Sequence, residues 1–112
     1  MNANANDIQE VLLDIGIPSS LLGFMYLTYA EELMMKNQHH YMRHITTYLY
    51  KDIADNYHTS SQAVERCIRH AINVGWNLGN CQYSHQLFKS STQGTPSNSQ
   101  FIMRLFYYLV NK

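Results

Sequence analysis

Apolar side chains recur at spacings of three and four along almost the whole chain, and alternation at period two is brief everywhere. That periodicity belongs to amphipathic helices packed by one stripe rather than to strands. A first helix carries Ile8, Val11, Leu12 and Ile15, capped by Asn6 or Asp7 and stopped by Gly16 and Pro18. Residues 1–6, rich in Asn and Ala, read as a flexible N-terminus. Ser19 or Ser20 opens a second helix through Leu22, Tyr26, Tyr29, Ala30 and Leu33, which ends near Lys36–Asn37. A third helical stretch covers about Tyr41 to Tyr57, with Ile45, Tyr48, Leu49, Ile53 and Ala54 inward and a break near Leu49–Tyr50. Thr59 stands three residues before Gln62, the capping-box spacing, and starts a helix that runs to about Trp76 and ends at Gly79. A short segment around Ser84 to Phe88, a polar loop from Lys89 to Ser97 and a last helix complete the chain. That last helix begins at Ser97, Asn98 or Ser99 and carries Phe101, Ile102, Leu105, Tyr108 and Leu109. The pattern predicts an all-α domain over 7–112, a small bundle of five or six helices containing a helix-turn-helix at about 49–77.

The segment around 60–76 holds the most information. With Val64 at zero on a wheel of about 100° per residue, Ile68, Ala71, Ile72 and Gly75 fall within about 80° of it, with Cys67 at the margin. Gln62, Arg66, Arg69 and Asn73 fall on the opposite side, between roughly 140° and 200°, flanked by Glu65 and His70. One face is apolar and the other offers two guanidinium groups among amides, a carboxylate and an imidazole. The preceding helix carries Ile53–Ala54 and is joined by a short polar turn, which is helix-turn-helix grammar. The chemistry suits DNA. An arginine bonds bidentately to guanine O6 and N7, Glu65 can accept from cytosine N4, and Gln62 or Asn73 can address adenine. Thr59, Ser60, Ser61 and the free N–H groups of the helix start suit phosphates, which fix register without reading sequence. A solvated polar face on an ordinary helical hairpin is the competing reading.

Composition narrows the class. The chain has 112 residues, eight basic against eight acidic side chains, and 46% apolar residues, enough for one globular domain. Its longest apolar runs fall far short of the roughly 20 residues that span a membrane. No secretory leader is recognisable, so a cytoplasmic location is expected. Cys67 and Cys81 are too few for a disulfide scaffold and read as reduced, mostly buried thiols. The zero net charge is unevenly spread, with a balance of −4 over residues 1–55 and +4 over 56–112, which hints at a polyanion facing the second half.

Val64-Glu65-Arg66-Cys67-Ile68-Arg69-His70-Ala71-Ile72, followed by Trp76 and Gly79-Asn80, resembles the recognition-helix signature of a known family. That family is the C-terminal DNA-binding (effector) domain of the stage-zero sporulation protein A response regulators. Ile15-Gly16-Ile17-Pro18, Gly23 with Tyr26-Leu27, Leu49-Tyr50 with Asp52-Ile53-Ala54, Leu87-Phe88, and Pro96 with Asn98-Ser99 and Phe101-Ile102 match in the family's order. The resemblance covers about Ile8 to the C-terminus. It implies a six-helix bundle around a helix-turn-helix and sequence-specific binding to double-stranded promoter DNA. It also implies a homodimer on tandem sites and contact with RNA polymerase. It carries base reading to Glu65, Arg66, Arg69 and His70, with Gln62 and the Thr59–Ser61 turn as further contacts.

Four departures bear on affinity. Ala63, Leu78 and Thr95 stand where the family tends to have a cation, and Lys51 replaces a usual proline. Fewer cations neutralise fewer phosphates, so weaker binding or greater reliance on a partner subunit is expected. The family's N-terminal receiver domain has no room in 112 residues, which leaves an excised effector domain or a stand-alone relative. The rival function is a helical protein-interaction module that pairs with a full-length regulator and binds DNA weakly or not at all.

Other features point elsewhere at first sight. His39, His40 and His44 form an HHxxxH run that places two imidazoles one turn apart, but it lacks the acid of a zinc-peptidase motif. Two exposed histidines and one packed one, with no metal, is the expectation. Nine tyrosines and four phenylalanines look like a stacking set, yet their spacing fits inner helix faces. Phe106, Tyr107 and Tyr108 crowd the last helix on more than one side, which suggests a dimer contact, and Met34–Met35 read likewise. No GxSxG, phosphate loop or paired catalytic carboxylates occur, so neither an enzyme nor a cofactor is expected.

Overall fold

A computed structural model describes residues 4–79, 81–88 and 94–111, and for Cys81, Gln82, His85 and Leu87 the backbone alone. Among the described residues all regular structure is helical. The helices are α1 (Ala5–Ile15), α2 (Leu22–Lys36), α3 (Gln38–Arg43), α4 (Tyr50–Tyr57), α5 (Ser61–Leu78), α6 (Cys81–Phe88) and α7 (Asn98–Val110), with a π-helical turn at Ile45–Leu49 between α3 and α4. With the interrupted run 38–57 counted as one, this is a six-helix bundle.

Local chemistry sets each boundary. α1 starts earlier than the pattern predicts, because Asn4 rather than Asn6 or Asp7 is the cap. Asn4 accepts from the Asp7 N–H at 3.0 Å, while the Asp7 carboxylate accepts from the Asn4 N–H at 3.1 Å. Gly16 ends α1 in the left-handed region at φ 105°, where a Cβ would be strained, and passes the chain to buried Ile17. Residues 1–3 lie outside the described residues. α2 begins after Leu21 with no side-chain cap, so neither Ser19 nor Ser20 has the role expected of it. Leu22 is 55% exposed, and its neighbour Gly23 is the residue turned to the core.

The helix-turn-helix is α4, a turn and α5. His58 closes α4 in the left-handed region, φ 55° and ψ 49°, with its N–H donating to the Ala54 carbonyl. α5 is capped by Ser60, whose hydroxyl accepts from the Ala63 N–H at 3.1 Å. The Thr59–Gln62 box does not form: the reciprocal position is Ala63, which has no side chain to return the bond. At α7 the box does form, Ser97 with Gln100.

The core runs through every helix from Ile8 to Leu109. α5 contributes Val64, Ile68, Ala71, Ile72 and Gly75, the stripe read from the sequence. Its seat is shaped by small residues. A Cβ on Gly23 would collide with the Cys67 carbonyl and lie 2.6 Å from the Ala71 Cβ, so α2 and α5 touch backbone to backbone there. A Cβ on Gly75 would come within 2.6 Å of Ile17. α5 is therefore held along its length by α2 and by the end of α1.

The aromatic residues are mostly structural. Tyr26 and Tyr29 pack on Tyr57 at ring separations of 5.3 and 5.7 Å, and Phe88 meets Phe101 at 5.2 Å. Phe106 and Met34 are buried, which removes both from the surface patches expected of them; of the three crowded rings on α7 only Tyr107 is exposed. Tyr48 also differs from its inward assignment. It is exposed, with His40 stacked on it at 4.8 Å and His44 edge-on at 4.9 Å. All three histidines are thus exposed, where one packed histidine was expected, although His40 and His44 rest their rings on Tyr48; among the described residues no three His, Cys, Asp or Glu side chains gather as metal ligands.

Candidate nucleic-acid interface

α5 shows its polar side as an open ridge. Gln62, Arg66, Arg69, His70 and Asn73 are exposed, while Ser61 and Glu65 are half-buried beside them. The separation follows from the fold, since the opposite stripe is fixed against α2 and Ile17. Thr59, half-buried, and Ser60, exposed, lie in the turn before the ridge. The Ser60 oxygen accepts from the backbone, which leaves its O–H free to donate to an anion. All nine residues singled out from the sequence thus lie along one helix and the turn that leads into it.

Their charges are not equivalent. Arg69 places Nη1 at 2.7 and 2.6 Å from the two Glu65 carboxylate oxygens, with the arginine side chain 54% and the glutamate 35% exposed. The Nη2 and Nε donors of Arg69 are not used in that pair, so the guanidinium keeps a donor edge for a base. Arg66 has no ion-pair partner among the described residues and is the more available cation.

A second helix reaches the ridge. Asn98, the first residue of α7, donates its Nδ2 to the Glu65 backbone carbonyl at 3.1 Å and approaches the Glu65 carboxylate at 3.5 Å. Buried Tyr50 of α4 lies beside Asn98 in the same groove. Its phenol lies above the usual value because of burial, an effect that Asn98 opposes and Glu65 adds to. Tyr50, Thr46 and the α7 start line a groove of about 410 Å³ along Glu65, Arg69 and Asn73. A continuation of about 480 Å³ extends from Thr46 and Tyr50 to Ser61, Gln62 and Arg66. On the far flank, Leu21, Leu22 and Gly23 form an almost wholly apolar hollow beside Arg66, Cys67 and His70.

The sequence marks Asn98 as a helix start and as a match to the family, but not its link to Glu65. The bond spans 33 positions, and no local spacing announces it. Of the departures, Leu78 is 82% exposed at the end of α5, Ala63 is half-buried, Thr95 is exposed, and Lys51 pairs with Asp55 at 3.0 Å. Cys67 is half-buried and unbonded to another cysteine; the side chain of Cys81, Asn80 and the loop residues 89–93 lie outside the described residues. No helix among the described residues is long and apolar enough to cross a membrane. Residues 8–109 match the family model described as "Sporulation initiation factor Spo0A C terminal".

Proposed function

Since this chain belongs to the family of Spo0A C-terminal domains, the DNA-binding domain of a sporulation initiation factor and not an enzyme family, we propose that α5 reads promoter DNA from the major groove. The observation that carries this reading is the ridge itself: five exposed polar side chains opposite a stripe fixed in the core. Arg66 leads as the unpaired cation and Arg69 reads with its free edge. Gln62, Glu65, His70 and Asn73 sit where base edges pass, and Thr59, Ser60 and Ser61 face phosphates. The proposal extends to a second copy on an adjacent site and to a contact with RNA polymerase. Tyr107 is the exposed ring that α7 offers to such a partner.

Binding is weaker than in relatives that keep all their cations, because Ala63, Leu78 and Thr95 bring no charge to phosphate. A salt titration on a duplex selected from a random pool and on its scrambled form tests this. Arg66→Ala should lose about 1–3 kcal/mol on the selected duplex and relax one base preference. Restoring cations with A63R, L78R and T95K should steepen the salt slope by about 1 for each phosphate contact regained. Wild-type affinity in Arg66→Ala would remove the assignment of the reading face. Exposed Leu22 and Leu78 favour a second reading, the protein-interaction module. That module would give a flat salt dependence and no sequence preference.

A further inference from the structure

The pair Glu65–Arg69 would, on α5 alone, be an ordinary exposed ion pair one helical turn apart. Such pairs are weak, because two long side chains must be ordered against solvent and salt. Here a third group from another helix intervenes. Asn98 directs its amide at both the carbonyl and the carboxylate of Glu65. Its own position is fixed: the Ser97–Gln100 box closes the start of α7, and Phe101 and Ile102 are fully buried one turn on. Buried Tyr50 flanks Asn98 from the α4 side of the groove.

The carboxylate is thus largely committed. It accepts twice from Arg69 and faces Asn98, out of about four lone-pair positions. Glu65 is better placed to brace Arg69 than to accept from a cytosine, and a braced guanidinium meets its base with less ordering left to do.

We propose that Asn98 is a positioning residue for base reading, fixing Glu65 from α7 so that Arg69 presents its Nη2–Nε edge in one orientation. This rests on the reading of α5 as the DNA-facing helix. It assigns to α7 a share in sequence discrimination although Asn98 need touch no base.

Two variants separate the role from a loss of fold. Asn98→Ala removes the amide, and Asn98→Asp keeps the shape and suits a helix start while donating nothing to Glu65. The duplex selected by the wild type from a random pool, its single-base variants and a scrambled duplex serve as probes. Both variants should bind the selected duplex roughly three- to tenfold more weakly. They should also lose discrimination at the one base pair whose preference Arg69→Ala abolishes. Ile102→Val, a core change that leaves the amide in place, should keep wild-type discrimination.

Nitrogen relaxation of the Arg69 Nε–H without DNA gives an independent reading. The group should be ordered in the wild type and Ile102→Val, and mobile in both Asn98 variants. Unchanged order, or unchanged discrimination in both Asn98 variants, overturns the positioning role alone. A wild type that selects no sequence from the pool, with Arg69 nonetheless ordered by Asn98, overturns the base-reading assignment of α5 and this role with it.

Discussion

Two stretches of similar length behave differently in this molecule. α5 is one unbroken helix of 18 residues, whereas the run over 38–57 divides into α3, a π-helical turn and α4. In α5 the buried positions follow the helical repeat, with Gly23 of α2 set against Cys67 and Ala71 and Gly75 leaving room for the Ile17 side chain. In 38–57 the buried residues are Tyr41, Ile45, Leu49, Tyr50, Ile53 and Ala54, and the two four-residue steps from Tyr41 to Leu49 each drift about 40° round a regular helix before Tyr50 picks up the stripe. The β-branched residues Ile45, Thr46 and Thr47 fall at the drift, and the backbone widens there. The His44 carbonyl accepts from both Tyr48 and Leu49 N–H groups, and the Tyr50 N–H bonds back to Ile45. A stripe that keeps the helical repeat leaves the opposite side straight and open for a ligand. A stripe that drifts is accommodated by the backbone instead.

The sharpest way to break this contrast is to unseat α5. Gly23→Ala would drive a Cβ into the Cys67 carbonyl, backbone against backbone, and should cost about 3 kcal/mol. Urea denaturation measures it, and an unchanged midpoint would mean that α2 and α5 are not in contact there.

Next in size is Glu31 on α2, the helix that floors both stretches. Both of its carboxylate oxygens are buried without a hydrogen-bond partner among the described residues, and burial raises its pKa well above the usual range. The folded state therefore prefers the protonated acid, while the unfolded chain ionises near about 4.3. The stability tied to this group is complete below that pH and falls as pH rises toward the folded value. Glu31→Gln should flatten the dependence between pH 4 and neutrality. Glu31→Leu should gain about 1–3 kcal/mol at neutral pH. Parallel pH profiles for wild type and Glu31→Gln would show that the acid is already satisfied.

Tyr41→Phe acts on the interrupted stretch alone. The Tyr41 hydroxyl donates to the Asp52 carboxylate at 2.6 Å and ties α3 to α4 across the wide turn. Burial first, and then the bond to Asp52, push this phenol up to about 12. Its loss should cost about 1.5–3 kcal/mol in thermal or urea unfolding. Faster amide exchange should appear in 38–57 but not in α5. Uniform acceleration across both would show them to be one cooperative unit.

The smallest effect lies at the junction. His58 holds a left-handed conformation that favours glycine, so His58→Gly should gain up to about 1 kcal/mol by calorimetry. A loss would mean that the imbalance in chain entropy outweighs the relieved strain.

The same contrast explains what was legible in the sequence. The α5 stripe and ridge are written in one local period, so Val64, Ile68 and Gly75 inward and Arg66 and Arg69 outward follow from the helical wheel. The break near Leu49–Tyr50 was visible too, but its form was not, since a wide turn depends on what the flanking rings and carbonyls meet. The caps lie up to three residues earlier or one later than expected, at Asn4 and Ser60, because only the fold fixes which residue leaves the helix with extended backbone. Asn98 lay beyond reach for the same reason: its partner is on another helix.

The wide turn at Ile45–Leu49 bears on how relatives of this chain can vary in length. It holds one residue more than an ordinary turn, and removing that residue would rotate everything after it by about 100° with respect to α3. Tyr50 would swing away from Asn98. Among homologues, a gap in that segment and a change at position 98 are therefore expected to travel together.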